Sequence, residues 1–85
     1  MPILIYTTRS CPYCHAAKRL LDSKKVEYRE IAVDGNRELR AEMEQRSGRY
    51  TVPQIWIGEY HVGGCDDLYD LERNGELDTL LSANN

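Results

Sequence analysis

The sequence predicts an α/β fold with the element order βαβαββα, and three observations carry that prediction. The apolar, β-branched run Ile3–Thr7 leads into a polar turn with proline at a first helical position, Ser10-Cys11-Pro12. Cys14, Ala17, Leu20 and Leu21 then recur at three- and four-residue spacing, the period of one buried helical face. In the second half, two short apolar runs at 54–57 and 60–62 are separated only by Gly58-Glu59, the pattern of an antiparallel hairpin.

The elements follow in order. Residues 3–7 form a first strand and residues 12–24 an amphipathic helix. Residues 27–33 alternate imperfectly through Tyr28, Ile31 and Val33; coming after a strand and a helix, they read as the second arm of a βαβ unit, parallel to the first strand. Asp34-Gly35-Asn36 breaks the chain, and residues 37–46 place Leu39 and Met43 four apart among charges, the mark of a surface helix with a narrow buried stripe. After the hairpin, Gly63-Gly64 ends the sheet and Asp66 or Asp67 is expected to cap a helix carrying Leu68 and Leu71. Gly75 stops that helix, and Leu77, Leu80 and Leu81 suggest a last turn or two. No repeat, low-complexity tract or linker interrupts 1–85, so one domain is expected.

Bulk properties narrow the function. Hydrophobic residues at 41% and charged residues at 29% are ordinary globular usage, not that of a disordered or membrane chain. With 11 Lys+Arg against 14 Asp+Glu the net charge is −3, so no summed positive field is available to hold nucleic acid. The apolar run at the amino terminus is too short for a signal segment or a membrane span. The 3 cysteines are an odd number, and two of them sit in one helical turn, unlike a secreted disulfide framework. A cytoplasmic setting, where thiols stay reduced, is the expectation.

Cys11-Pro12-Tyr13-Cys14 carries the chemistry. A C-x-x-C directly after a strand and opening a helix suits thiol–disulfide exchange: the first thiol sits at the cap, facing free N–H groups and the positive helix end, and the second lies one turn inside. The dipole contributes roughly 0.3–1 kcal/mol to the thiolate. Hydrogen bonds from the N–H groups of Tyr13 and Cys14, at roughly 1.5–3 kcal/mol each, are expected to contribute more. Other readings of the pair are weaker. Structural zinc needs four ligands, and only Cys65, His15 and His61 remain to complete a set. Cys11-Pro12-Tyr13-Cys14-His15 matches the attachment pattern for c-type haem, but there is no export signal and no convincing distal methionine. A purely packed pair does not suit a proline-led cap. No metal and no tightly bound cofactor is expected.

Tyr6, Cys11-Pro12-Tyr13-Cys14, Thr51-Val52-Pro53 and Gly63-Gly64-Cys65-Asp66-Asp67 together resemble the small bacterial glutaredoxins, most closely the glutaredoxin 3 type. The likeness spans the chain, including Asp34-Gly35-Asn36 and Arg46-Ser47-Gly48-Arg49. It implies a thioredoxin-like fold, a four-stranded mixed sheet flanked by helices, with a cis peptide at Val52-Pro53. It also implies glutathione as co-substrate, disulfide-bonded or glutathionylated proteins as targets, and a monomer. Cys11 and Cys14 are then the catalytic pair, and Arg9, Tyr13, Thr51, Val52, Pro53, Gly64, Cys65 and Asp66 the glutathione site.

Each carried-over residue also has a physical reading. Pro53 cannot donate to a ladder, which leaves the Val52 backbone free to pair with an extended peptide. Gly63-Gly64 allows a close ligand, the N–H groups of Cys65 and Asp66 at a helix start suit a carboxylate, and the Asp66 side chain suits an ammonium. Many glutaredoxins have lysine three residues before the first cysteine; here Thr8 stands there, followed by Arg9, the candidate cation. The Cys65 thiol is expected to be a small buried hydrophobe, and His61 a strand residue with no chemical duty. Trp56 and the tyrosines other than Tyr13 are expected in core or half-exposed packing positions. Two other functions fit the C-x-x-C: an electron carrier served by thioredoxin reductase, against which the glutathione cradle argues, and an iron–sulfur binding module, against which Pro12 argues.

Overall fold

A computed structural model describes residues 2–83. Met1, Asn84 and Asn85, included in the single domain expected from the sequence, lie outside the described residues. Strands β1 (Ile3–Thr7), β2 (Arg29–Ala32), β3 (Gln54–Ile57) and β4 (Tyr60–Gly63) form one sheet in the order β2-β1-β3-β4. β1 pairs parallel with β2 and antiparallel with β3, and β4 closes the hairpin antiparallel to β3. The mixed sheet follows from connection length: a helix separates the parallel strands, whereas Gly58 at φ 61 turns the hairpin.

Helices α1 (Pro12–Ser23), α2 (Arg37–Ser47), α3 (Cys65–Arg73) and α4 (Leu77–Ala83) cover the sheet. Strand alternation sorts the core into two layers. On one face Ile3, Ile5, Ile55 and Ile57 pack with Ala17, Leu20 and Leu21 of α1, Leu68 of α3 and Leu77 and Leu81 of α4. On the other, Tyr6 and Trp56, their rings edge to face at 5.4 Å between centroids, pack with Met43 of α2 and with Val33, which follows β2. Cys14, Ala17, Leu20 and Leu21 are the buried residues of α1, as the spacing predicted.

The structure revises three local expectations. β2 is shorter than 27–33 because it is an edge strand, exposed along most of its length. The carboxy-terminal leucines form a separate helix, α4, which Lys24 ties to α1 and α3 through Asp78 at 2.9 Å and Glu72 at 2.8 Å. α3 begins at Cys65 with Gly64 at the N-cap, earlier than a cap at Asp66 or Asp67 would set it. Asp67 is instead the third helical residue, and its carboxylate reaches back to accept the Gly64 N–H at 2.9 Å.

Candidate active site

Three segments meet at one end of the sheet: the start of α1, the loop entering β3, and the start of α3. Cys11 is the N-cap of α1, with extended backbone (φ −94, ψ 109) and Pro12 following at the first helical position. Its Sγ accepts the Cys14 N–H at 3.2 Å, the bond a cap side chain makes to the third helical N–H. The second donor expected from the sequence, the Tyr13 N–H, is not among the sulfur's partners, because the cap geometry aims the sulfur one residue further along. Cys11 Sγ also lies 3.7 Å from the Val52 carbonyl, which brings the loop before β3 against the nucleophile. The loop before α1 is anchored on both sides. Arg9 N–H donates to Asp34 at 3.1 Å, and the Arg9 carbonyl meets His15 Nε2 at 3.0 Å.

The two thiols differ in surroundings. Cys11 is part-exposed, whereas Cys14 is 1% exposed, and burial pushes its thiol up to about 12. The second cause is the contact with Cys11; a hydrogen bond to the Thr8 backbone and, less, the charge of Lys18 oppose both. Cys14 therefore stays protonated at neutral pH. A consequence for stability follows from linkage. Below the ordinary thiol value of 9.0 the folded and unfolded chains both hold this proton, so stability is complete there; above it the unfolded chain ionises first, and stability is lost between 9.0 and about 12. Wild type should thus lose stability more steeply than Cys14→Ser over that window, measured by urea unfolding at stepped pH. Equal slopes would contradict it. The tyrosines that also titrate high, Tyr6 and Tyr28, are common to both proteins and cancel.

Beside the thiols lies an open cleft of about 200 Å³. Of the residues expected at the glutathione site, Tyr13, Thr51, Val52, Pro53, Gly64, Cys65 and Asp66 line it. Arg9 does not; it is exposed in the loop after β1. The wall carries Arg49 and Asp67 instead. Arg49 Nη1 pairs with Asp67 Oδ2 at 2.9 Å, and the Gly64 N–H followed by this guanidinium holds the Asp67 carboxyl below the usual carboxylate range. Arg49 stands two residues before Thr51, so the sequence signal was a cation next to the Thr51-Val52-Pro53 motif. The Val52-Pro53 peptide is cis. Cys65 faces the core, and burial raises its thiol, so the helix start offers the cleft its backbone and not its sulfur.

One aromatic expectation is revised. Tyr50 is 75% exposed because it sits in the loop after Gly48, whereas Tyr60, which opens the edge strand β4, is half-exposed as expected. His61 has polar partners: its Nε2 lies 2.8 Å from Gln54 Oε1, and its ring stacks on Trp56 at 4.7 Å.

A helix-capping thiol, a buried partner one turn inside and a peptide-sized cleft beside a cis-proline loop define a dithiol exchange enzyme of thioredoxin-like fold. Comparison with known proteins gives the family. The glutaredoxin family model matches residues 3–62. A glutaredoxin of Pseudomonas aeruginosa is 65% identical over 82 residues, covering 96% of this chain and 98% of that protein. Glutaredoxin 3 of Escherichia coli is 60% identical over 77 residues, covering 91% and 93%. The solution structure of a Brucella melitensis glutaredoxin superposes with a TM-score of 0.84 at 58% identity, covering 95% of this chain and 88% of that one. A buckwheat glutaredoxin–glutathione complex superposes at 0.90 with 31% identity, covering 98% and 78%. The chain belongs to the glutaredoxin family and is a glutathione-dependent thiol–disulfide oxidoreductase.

Proposed function

We propose that Cys11 is the attacking thiolate and Cys14 the resolving thiol, and that glutathione lies in the cleft along the Val52 backbone. The observation that supports this most is the 3.7 Å approach of Cys11 Sγ to the Val52 carbonyl, because a mixed disulfide built on that sulfur emerges directly into the cleft. With a glutathionylated protein, Cys11 attacks the glutathione sulfur, the S–S bond breaks and the protein thiol leaves. A second glutathione then attacks the same sulfur and departs as oxidised glutathione, restoring Cys11. With a protein disulfide, Cys11 attacks one sulfur and frees the other as a thiol; Cys14 then attacks Cys11 in this mixed disulfide, its proton passing to the second protein sulfur as that leaves, so that the protein departs as a dithiol and a Cys11–Cys14 disulfide remains for two glutathiones to reduce.

The cleft divides the ligand's charges. The N–H groups at the start of α3 suit the γ-glutamyl carboxylate, and the exposed Asp66 suits the neighbouring ammonium. Arg9 is the cation proposed from the sequence for the far carboxylate; Arg49 is the cation on the cleft wall. Because the cap of α3 belongs to Asp67, the two aspartates should separate cleanly in mutagenesis. Asp66→Ala should raise the KM for glutathione with the melting temperature unchanged, whereas Asp67→Ala should lower stability by roughly 0.5–2 kcal/mol, the usual value of a lost cap. Stability loss in Asp66→Ala with unchanged KM would assign it to the fold instead.

We place the chain as a single-domain monomer, with no tightly bound cofactor, working in the cytoplasm on disulfide-bonded or glutathionylated proteins. Among the described residues no helix is long and apolar enough to cross a membrane. The test of the electron source is a paired assay of the oxidised protein, with glutathione plus its reductase in one arm and thioredoxin reductase in the other. Reduction in the first arm alone is expected; reduction in the second alone would overturn the reading.

A further inference from the structure

Gln54 is a fully buried polar side chain that the exchange chemistry leaves unexplained. It opens β3 on the sheet face that carries Trp56, and its carboxamide is fully engaged. Nε2 donates to the Thr51 carbonyl at 3.0 Å and to Thr51 Oγ1 at 3.3 Å, while Oε1 meets His61 Nε2 at 2.8 Å. The proton positions follow from these partners alone. A carbonyl only accepts, so the amide nitrogen must face Thr51 and the amide oxygen must face His61. That oxygen also only accepts, so His61 must carry a proton on Nε2. The imidazole is held in place by its stack on Trp56 at 4.7 Å, and Arg46 lies over the same indole at 4.6 Å.

The consequence reaches the cleft. Thr51 Oγ1 accepts from Gln54, so its own hydroxyl proton points elsewhere, and Thr51 is an exposed residue of the cleft wall. We propose that His61 and Gln54 are positioning residues for glutathione: together they fix the Thr51-Val52 edge and turn the Thr51 hydroxyl into a donor aimed at an oxygen of the bound peptide. This rests on glutathione using that edge, as proposed above. Neither residue touches the reacting sulfurs, and both act through Thr51.

The test measures kcat and the KM for a glutathionylated peptide in deglutathionylation, together with melting temperature, for Thr51→Val, Gln54→Met, the double variant and His61→Phe. Thr51→Val and Gln54→Met should each raise KM roughly three- to tenfold, the worth of one neutral hydrogen bond. In both, kcat should stay within about twofold, and the double variant should be no worse than the worse single one, since both remove the same contact. His61→Phe keeps the stack on Trp56 but loses the Nε2 proton, and should raise KM in the same direction. Nitrogen-15 spectra of wild type should show the Nε2–H tautomer of His61. If Thr51→Val leaves KM unchanged, docking on this edge fails and the inference fails with it. If Thr51→Val raises KM but Gln54→Met does not, or their effects multiply, the positioning role is overturned while docking stands. An Nδ1–H tautomer overturns it as well. Should Gln54→Met fail to fold, His61→Phe decides by the same KM readout, an unchanged KM counting against the proposal.

Discussion

Cys11→Ser should abolish both the reduction of protein disulfides and deglutathionylation, while Cys14→Ser should abolish only the first. The difference comes from where each thiol sits. Cys11 caps α1, part-exposed, with the Cys14 N–H on its sulfur, so it is the group a disulfide can reach. Cys14 is sealed in the core and holds its proton up to about 12, so in the proposed scheme it acts only on a disulfide already formed at Cys11. Resolution from inside is needed when the mixed disulfide joins two proteins. When the adduct is glutathione, a second glutathione can take its place. We expect the loss in Cys11→Ser to exceed about a thousandfold, as when a nucleophile that acts in every turnover is removed. Both activities should be measured on both variants at one glutathione concentration. Equal losses in Cys14→Ser, or residual activity in Cys11→Ser, would contradict this assignment of nucleophile and resolving thiol.

Gly63→Ala should destabilise the fold far more than Gly64→Ala. Gly63 has φ 111, a region that L side chains rarely adopt, and a β-carbon there would fall on the Asp67 carboxylate and 3.0 Å from Arg49 Nη1. The carboxylate cannot withdraw without leaving the Gly64 N–H that it caps. Adding roughly 1–3 kcal/mol of backbone strain to roughly 0.5–2 kcal/mol for the cap gives an expected loss of about 1.5–5 kcal/mol. Gly64 has φ −96, and its β-carbon would sit 3.5 Å from the Pro53 carbonyl, an ordinary contact. Its substitution should cost about 1 kcal/mol or less, the difference between glycine and alanine at a cap. Urea midpoints of the two variants compare them directly, and equal losses would remove the special role given to Gly63.

Much of this architecture is legible in the chain because its signals are local. The three- and four-residue spacing from Cys14 to Leu21 marks the buried face of α1, and Gly58 marks the hairpin turn. The Pro12 signal places Cys11 at a cap, where the structure has it. What escaped depends on contacts between distant segments. Arg49 lines the cleft, where it pairs with Asp67, 18 positions later. Gln54 and His61 are a buried polar pair joined across the β3–β4 hairpin, and neither residue type at those positions announces a partner. The N-cap of α3, two residues before Asp66 and three before Asp67, escaped because Gly64, lacking a side chain, gives no cap signal, and the aspartate that caps lies inside the helix. Thr8 and Arg9 show the converse: a cation close to a motif in sequence need not line the cleft.

The most direct measurement of the central claim is the site of glutathione attachment. Cys14→Ser incubated with oxidised glutathione and mapped by mass spectrometry of its peptides should carry one glutathione, on Cys11, with Cys65 unmodified because its thiol is buried in the core. Wild type treated in the same way should proceed to a Cys11–Cys14 disulfide with no glutathione retained. Attachment at Cys65 in place of Cys11, or an unmodified Cys11 in the Cys14→Ser protein, would contradict the account.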